Sequence, residues 1–243
     1  MLSLPRRIVS EFFGTGFLVA AVVGSGIMGE RLAGGNVAVA LLANTIATGA
    51  ALAALILTFG PISGAHLNPA VTLVDAIERG VSWTAAACYV PAQCTGAICG
   101  AIAAHLMFDL PAISASHHAR SGSAQVFSEF VATFGLLCVI LGCSRQRSAI
   151  VPFAVAAYIT AAYWFTASTS FANPAVTIAR ALSDTFAGIR PADAPLFIAA
   201  QFAGAVAATL LFRWLVPSLD LSAKRIPLDP KPSNSQAELW TMK

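Results

Sequence analysis

Charge is what this sequence has least of. Lys, Arg, Asp and Glu together make up 10% of its 243 residues, where an ordinary soluble domain carries about 25%. So few ionic side chains cannot cover a water-facing surface, and 57% of the residues are hydrophobic, with a mean hydropathy of +0.76. A soluble globular domain is excluded and an integral membrane protein implied. The net charge of +3 is small and scattered, so there is no basic patch for nucleic acid. Cysteine is scarce as well. Cys88, Cys94, Cys99, Cys138 and Cys143 all lie in apolar segments, are odd in number and lack metal-ligand spacing, so they read as packing residues. No nucleophile–base pair and no metal set is visible, which leaves enzymatic chemistry without residues to carry it. The first apolar segment is too long for a signal-peptide core and lacks a cleavage pattern.

What the chain does have is one motif twice. His-Leu-Asn-Pro-Ala-Val-Thr, His66 to Thr72, returns as Phe-Ala-Asn-Pro-Ala-Val-Thr, Phe171 to Thr177. Asn is a strong helix N-cap, and Pro at the first helical position lacks an N–H that would be orphaned anyway. Each copy therefore opens a short helix, about Asn68 to Ile77 and Asn173 to Ser183, too short to cross a bilayer. Around them the apolar runs predict six spans, at about Ile8–Met28, Val37–Phe59, Trp83–Phe108, Ala124–Cys143, Ala149–Phe165 and Ala194–Val216. After Pro217 the chain turns rich in Pro, Lys and Ser, the composition of a disordered tail over 217–243.

The halves, about 8–108 and 124–216, repeat elsewhere too. Ser10-Glu11-Phe12 with Thr15 matches Ser128-Glu129-Phe130 with Thr133, and Gln93 with Gly96-Ala97 matches Gln201 with Gly204-Ala205. Three spans per half is an odd number, so the second copy enters the membrane upside down and the two meet near the midplane. Arg6, Arg7, Arg79, Arg145, Arg147, Arg213, Lys224, Arg225, Lys231 and Lys243 fall on one side, with both termini. Arg31, Arg120 and Arg190 fall on the other, with Arg180 near it. The excess of positive charge places both termini in the cytoplasm.

Inverted symmetry brings the N-termini of the two short helices together. Their unpaired N–H groups and dipoles make that point electropositive, by roughly half a charge per helix. Asn68 and Asn173 cap on their side-chain oxygens, which turns their NH₂ groups outward as fixed donors. The loops leading in, Pro61 to Leu67 and Ser168 to Ala172, are irregular backbone at membrane depth, tolerated where they line a cavity. Such a path suits small neutral hydroxylated solutes and opposes cations and protons. Glu11 and Glu129 sit inside spans, where charge is costly. Their symmetric placement favours buttressing the adjacent loop over relaying protons. His66 reads as a loop-orienting residue, since no second metal ligand is spaced for it.

These residues resemble the major intrinsic protein family, the aquaporins and aquaglyceroporins. Ser63 to Thr72 is similar to that family's first signature, and Glu11, Glu129, Gln93 and the second Asn-Pro-Ala extend the likeness over about residues 8 to 216. The resemblance implies an all-α membrane protein, an inverted repeat of six transmembrane helices plus two re-entrant half-helices, forming one channel domain over residues 1–216. It implies a pore centre at Asn68, Pro69, Ala70, Asn173, Pro174 and Ala175. It also implies a pore in each subunit of a homotetramer in the cell inner membrane, and passive transport with no cofactor. The family usually carries Arg directly after the second Asn-Pro-Ala; here that residue is Val176. The other selectivity positions, carried over by distance from the two Asn residues, are Thr48, Ala161 and Ser170. All are small and uncharged, which predicts a wide, mildly polar outer filter. Val176 with Thr-Ile-Ala-Arg after it is similar to the aquaglyceroporin-like channels found with bacterial arsenic-resistance genes. Arsenite at neutral pH is an uncharged triol of glycerol-like shape, so that chemistry is coherent. The expected function is a passive channel for water, polyols and metalloid hydroxides. A strict water channel, a transporter coupled to protons through Glu11 or Glu129, and a structural role for stacked tetramers are the alternatives. Arg180, one turn beyond Val176, is expected as an outer-vestibule or capping charge, with a reach back to the pore as the alternative.

Overall fold

In the computed structural model, residues 2–146 and 148–216 are described. The 217–243 tail, Arg147 and the charges Lys224, Arg225, Lys231 and Lys243 lie outside them. Among the described residues eight α-helices follow one another: α1 Leu4–Leu32, α2 Val37–Ser63, α3 Pro69–Ile77, α4 Trp83–Met107, α5 Ser123–Gln146, α6 Val151–Phe165, α7 Pro174–Arg180 and α8 Ala194–Leu215. A 3-10 turn, Ser148–Ile150, precedes α6, and no strand occurs among the described residues. Six of the helices are long and apolar enough to cross a membrane; α3 and α7 are not. The all-α architecture of six spans and two half-helices is therefore present.

The boundaries shift where local chemistry allows. Glu30 and Arg31, past the expected end of the first span at Met28, belong to the last turn of α1, where Arg31 favours the helix dipole and donates to Phe108 O at 2.9 Å. α2 runs through Pro61, which forfeits only one backbone hydrogen bond. The helix ends where Gly64, at φ 95°, turns left-handed and donates to Gly60 O. The first re-entrant loop is thus Gly64–Leu67, shorter than the Pro61–Leu67 expected. α7 stops at Arg180, short of Ser183, because the chain turns back with Ala181 N–H directed at the last carbonyls.

The two halves pack alike. α1 lies against α2 and α4, and α5 lies against α6 and α8, while α2 and α6 join the halves. Close crossings depend on missing side chains: a Cβ at Gly96 would fall on Phe12 O, one at Gly100 on Gly16 O, and one at Gly204 on Phe130 O. The Gly204 contact, between α8 and α5, repeats the α4–α1 crossing in the second half. Large apolar side chains such as Phe17, Trp83, Trp164 and Trp214 face outward, as a surface solvated by lipid requires.

Candidate permeation pathway

The half-helices enter from opposite faces and meet at their N-termini. Asn68 Oδ1 caps α3 by accepting from Ala70 N at 2.9 Å, and Asn173 Oδ1 caps α7 by accepting from Ala175 N at 3.0 Å. Their amide groups do more than face outward. Asn68 Nδ2 donates to Ala172 O and Asn173 Nδ2 to Leu67 O, both at 2.8 Å. One N–H of each Asn thus ties the opposite loop, and only the second is left for the channel. Both Asn side chains line it.

Each loop holds non-glycine residues in the left-handed region at equivalent positions, Ala65 and Leu67 in the first, Ser170 and Ala172 in the second. Such backbone persists only where its surroundings fix it. The buried carboxylates do so. Glu11 accepts from His66 N (3.0 Å), Leu67 N (2.7 Å), Ser63 Oγ (2.6 Å) and Gln93 Nε2 (2.8 Å). Glu129 accepts from Phe171 N (2.8 Å), Ala172 N (2.9 Å) and Gln201 Nε2 (2.6 Å). Gln93 and Gln201 then reach Thr72 and Thr177 on the half-helices. Span, loop and half-helix are thereby joined in each half by one carboxylate. His66 spans its own half-helix: Nδ1 lies 3.1 Å from Thr72 Oγ1 and Nε2 3.3 Å from Asp75 Oδ2.

A cavity of about 350 Å³ runs past this centre, from Asp75, Glu78 and Ser144 at one end to Arg180 at the other. Its wall is mostly Leu, Val and Ile, interrupted by the two Asn residues and the loop backbones. Thr48, Ser170 and Val176 line it as expected positions. Ala161 does not. It is exposed on the far face of α6, two residues from Tyr163, which is buried, lines the cavity and lies 3.3 Å from Thr48 Oγ1 through its hydroxyl. Distance counting misplaced this position because α6 persists to Phe165, and successive helical residues turn by about 100°.

Arg180 is not a vestibule charge. It is 2% exposed, lines the cavity, and its guanidinium carbon lies 3.4 Å from the Phe171 ring centroid. A strap over residues 109–122 covers that end. Ser114 N and Ser116 N donate to Leu182 O and Ala181 O, and buried Arg120 donates to Gly188 O and Ser168 O. Burial pushes the Arg120 pKa down, against the pull of Glu129 and Tyr163. Burial also lowers that of His118, helped by the Arg120 charge. The roles of Asp75, Tyr163 and Arg120 were not apparent in the sequence. Only Asp75 carried a usable signal, being three residues past Thr72 on one helix face. Among the described residues no group of three or more His, Cys, Asp or Glu could hold a metal.

Two half-helices meeting head to head inside six spans, with a cavity past their N-termini, define a multi-pass membrane channel. The family model for "Major intrinsic protein" matches residues 1–157 and 145–239. Aquaglyceroporin AqpS of Rhizobium meliloti is 56% identical over 213 residues, 88% of this chain and 91% of the relative. Aquaporin NIP1-4 of Oryza sativa subsp. japonica is 33% identical over 211 residues, 83% of this chain and 74% of the relative. The X-ray structure of the aquaglyceroporin from Plasmodium falciparum shares the fold with a TM-score of 0.70, at 22% identity, covering 90% of this chain and 100% of that one. The chain belongs to the major intrinsic protein family, and it is a channel, not an enzyme.

Proposed function

We propose that the protein passes water and small uncharged solutes passively, namely glycerol-like polyols, arsenite and related metalloid hydroxides. The observation that carries this is that Thr48, Ser170 and Val176, small side chains without charge, line the cavity. A polyol has a hydroxyl edge and a hydrocarbon edge. The Asn donors and loop backbone suit the first and the aliphatic wall the second. A relative named as an aquaglyceroporin, 56% identical, supports the same solute class. Tyr163 favours a second, narrower reading, a strict water channel, because its ring replaces the small Ala161 in the wall. Proton coupling has less support: every oxygen of Glu11 and Glu129 already accepts from a backbone N–H.

Charge and family support one physiological setting. The face carrying Arg6, Arg7, Arg79 and Arg213 lies in the cytoplasm, both termini with it, in the inner membrane, and four subunits associate with one pore each. Stopped-flow swelling of proteoliposomes with water, glycerol and arsenite tests the solute class, comparing wild type with Val176→Arg. Wild type passing all three, and the variant passing water alone, is the expected result. Wild type passing water alone makes the protein a strict water channel.

A further inference from the structure

Two arginines flank the ring of Phe171, and they are not equivalent. The guanidinium carbon of Arg120 lies 5.1 Å from the ring centroid and that of Arg180 3.4 Å. Arg120 spends its donors on the protein: Nε on Gly188 O, Nη1 on Ser168 O and Thr169 Oγ1, Nη2 on Phe186 O. It is a strut. Arg180 bonds only through Nε, to Ala187 O, and neither of its Nη groups has a hydrogen-bond partner among the described residues. No carboxylate among them lies within 4.0 Å of either guanidinium. A buried cation without a counter-ion is costly, and the cation–π contact with Phe171 offsets only part of that. Beside it Ser170 Oγ is also buried with no partner, and Ser170 lines the same cavity. Arg180 thus keeps Nη donors unspent at the cavity wall, and Ser170 beside it keeps an enclosed hydroxyl without a partner.

Their place on the half-helix gives this a consequence. Arg180 follows Val176 by four residues, so the two share a face of α7, about one turn or about 6 Å apart along the axis. The charge is therefore separated from the aperture. Val176 leaves the wall at its own level apolar, while Arg180 supplies a positive charge and unused N–H donors one turn farther from the centre. We propose that Arg180 and Ser170 form a specificity-determining subsite, in which a small neutral hydroxylated solute is held by its oxygens before the Val176 aperture and from which cations are turned away. The inference rests on the reading of the protein as a passive solute channel. It explains how a channel without the usual Arg beside its second Asn-Pro-Ala keeps a charged barrier without narrowing the path.

The test uses proteoliposomes of the full chain, with water and glycerol permeability from stopped-flow swelling and sodium permeability from tracer uptake. Arg180→Gln should raise sodium uptake at least threefold and lower the glycerol-to-water ratio by a similar factor. Arg180→Lys should keep sodium out. Ser170→Ala should lower the glycerol-to-water ratio and leave sodium exclusion intact. A water-permeable Arg180→Gln that excludes sodium and keeps the wild-type ratio overturns the proposal. So does an Arg180→Lys variant that leaks sodium, because packing rather than charge is then at stake. Should Arg180→Gln fail to assemble, an unchanged ratio in Ser170→Ala together with a leaking Arg180→Lys overturns it. Wild-type vesicles impermeable to glycerol instead overturn the solute reading on which the subsite rests.

Discussion

Asn68 Nδ2 donates to Ala172 O at 2.8 Å, joining residues 104 positions apart in the chain. Its mirror bond runs from Asn173 to Leu67 O. Each Asn therefore caps its own half-helix and ties down the opposite loop, so the pore centre is also the seam between the halves. Asn68→Ala removes a cap, at about 1 kcal/mol, and leaves a buried carbonyl without its donor, at about 1–3 kcal/mol. We expect a lowered unfolding temperature in detergent for Asn68→Ala and for Asn173→Ala. The two losses should be non-additive in the double variant, since the bonds share one seam. Single variants as heat-stable as wild type would show that the seam contributes no stability.

The carboxylates lead to a different expectation. Glu11→Gln keeps the shape but turns an NH₂ group toward donors that had charged oxygens to meet, and a charge-assisted bond is worth about 1.5–3 kcal/mol. Stability should fall by several such increments, on the order of 3 kcal/mol or more, and Glu129→Gln should behave alike. Neither variant should change how flux responds to a proton gradient, because wild type should show no response. Accumulation of glycerol in vesicles on imposing a pH difference is the outcome that defeats the buttressing role.

Much of this was legible because the relevant signals are local or repeated. Asn-Pro fixed the start of each half-helix, and the paired Ser-Glu-Phe segments located both carboxylates before any contact was known. Three features escaped for physical reasons. α2 crosses Pro61 because a proline costs one bond but does not end a helix already packed on α1 and α6. Tyr163, not Ala161, reaches the channel because the facing residue depends on where α6 unwinds, and counting back from Asn173 through an irregular loop cannot supply that angle. Arg180 stands near a helix end in the sequence, whereas its enclosure comes with Phe171 and with Ala187 of the segment after α7, tertiary contacts with no mark in the motif.

The glycine crossings give a sharp contrast. A Cβ at Gly96 or Gly100 meets the carbonyl backbone of α1, which no rotamer change can move aside. Gly96→Ala and Gly100→Ala should each cost about 3 kcal/mol or more, at or beyond the usual range for overpacking, and reduce the folded yield from membranes. Gly60 lies inside α2 with open space where a Cβ would sit, nothing coming within 4 Å, and Gly60→Ala should be neutral or stabilising by up to about 1 kcal/mol. Equal yields of all three variants, by size-exclusion profile after extraction, would remove close approach as the reason for the glycines.

Two aspartates hold the strap over the Arg180 end, and their bonds make that end sensitive to acid. Asp184 Oδ1 accepts from His117 N at 2.9 Å, and Oδ2 lies 3.0 Å from His117 Nδ1. These bonds, the backbone one first, hold its pKa below the ordinary Asp value. Asp193 accepts from Arg190 Nη2 at 2.8 Å and from Arg120 N at 2.9 Å, and Arg190 chiefly depresses its pKa. A depressed folded-state pKa means that the unfolded chain binds protons first as pH falls. The stabilisation is therefore complete above the ordinary Asp value, about 3.9, and is lost as pH drops from there through the lowered folded values. Thermal unfolding in detergent should show no contribution from this pair to pH dependence between about pH 6 and pH 8. Below about pH 4 the wild type should lose more stability than Asp184→Asn/Asp193→Asn, which starts lower and has less to lose. Parallel curves for the two proteins down to about pH 3 would mean that the aspartates do not hold the strap.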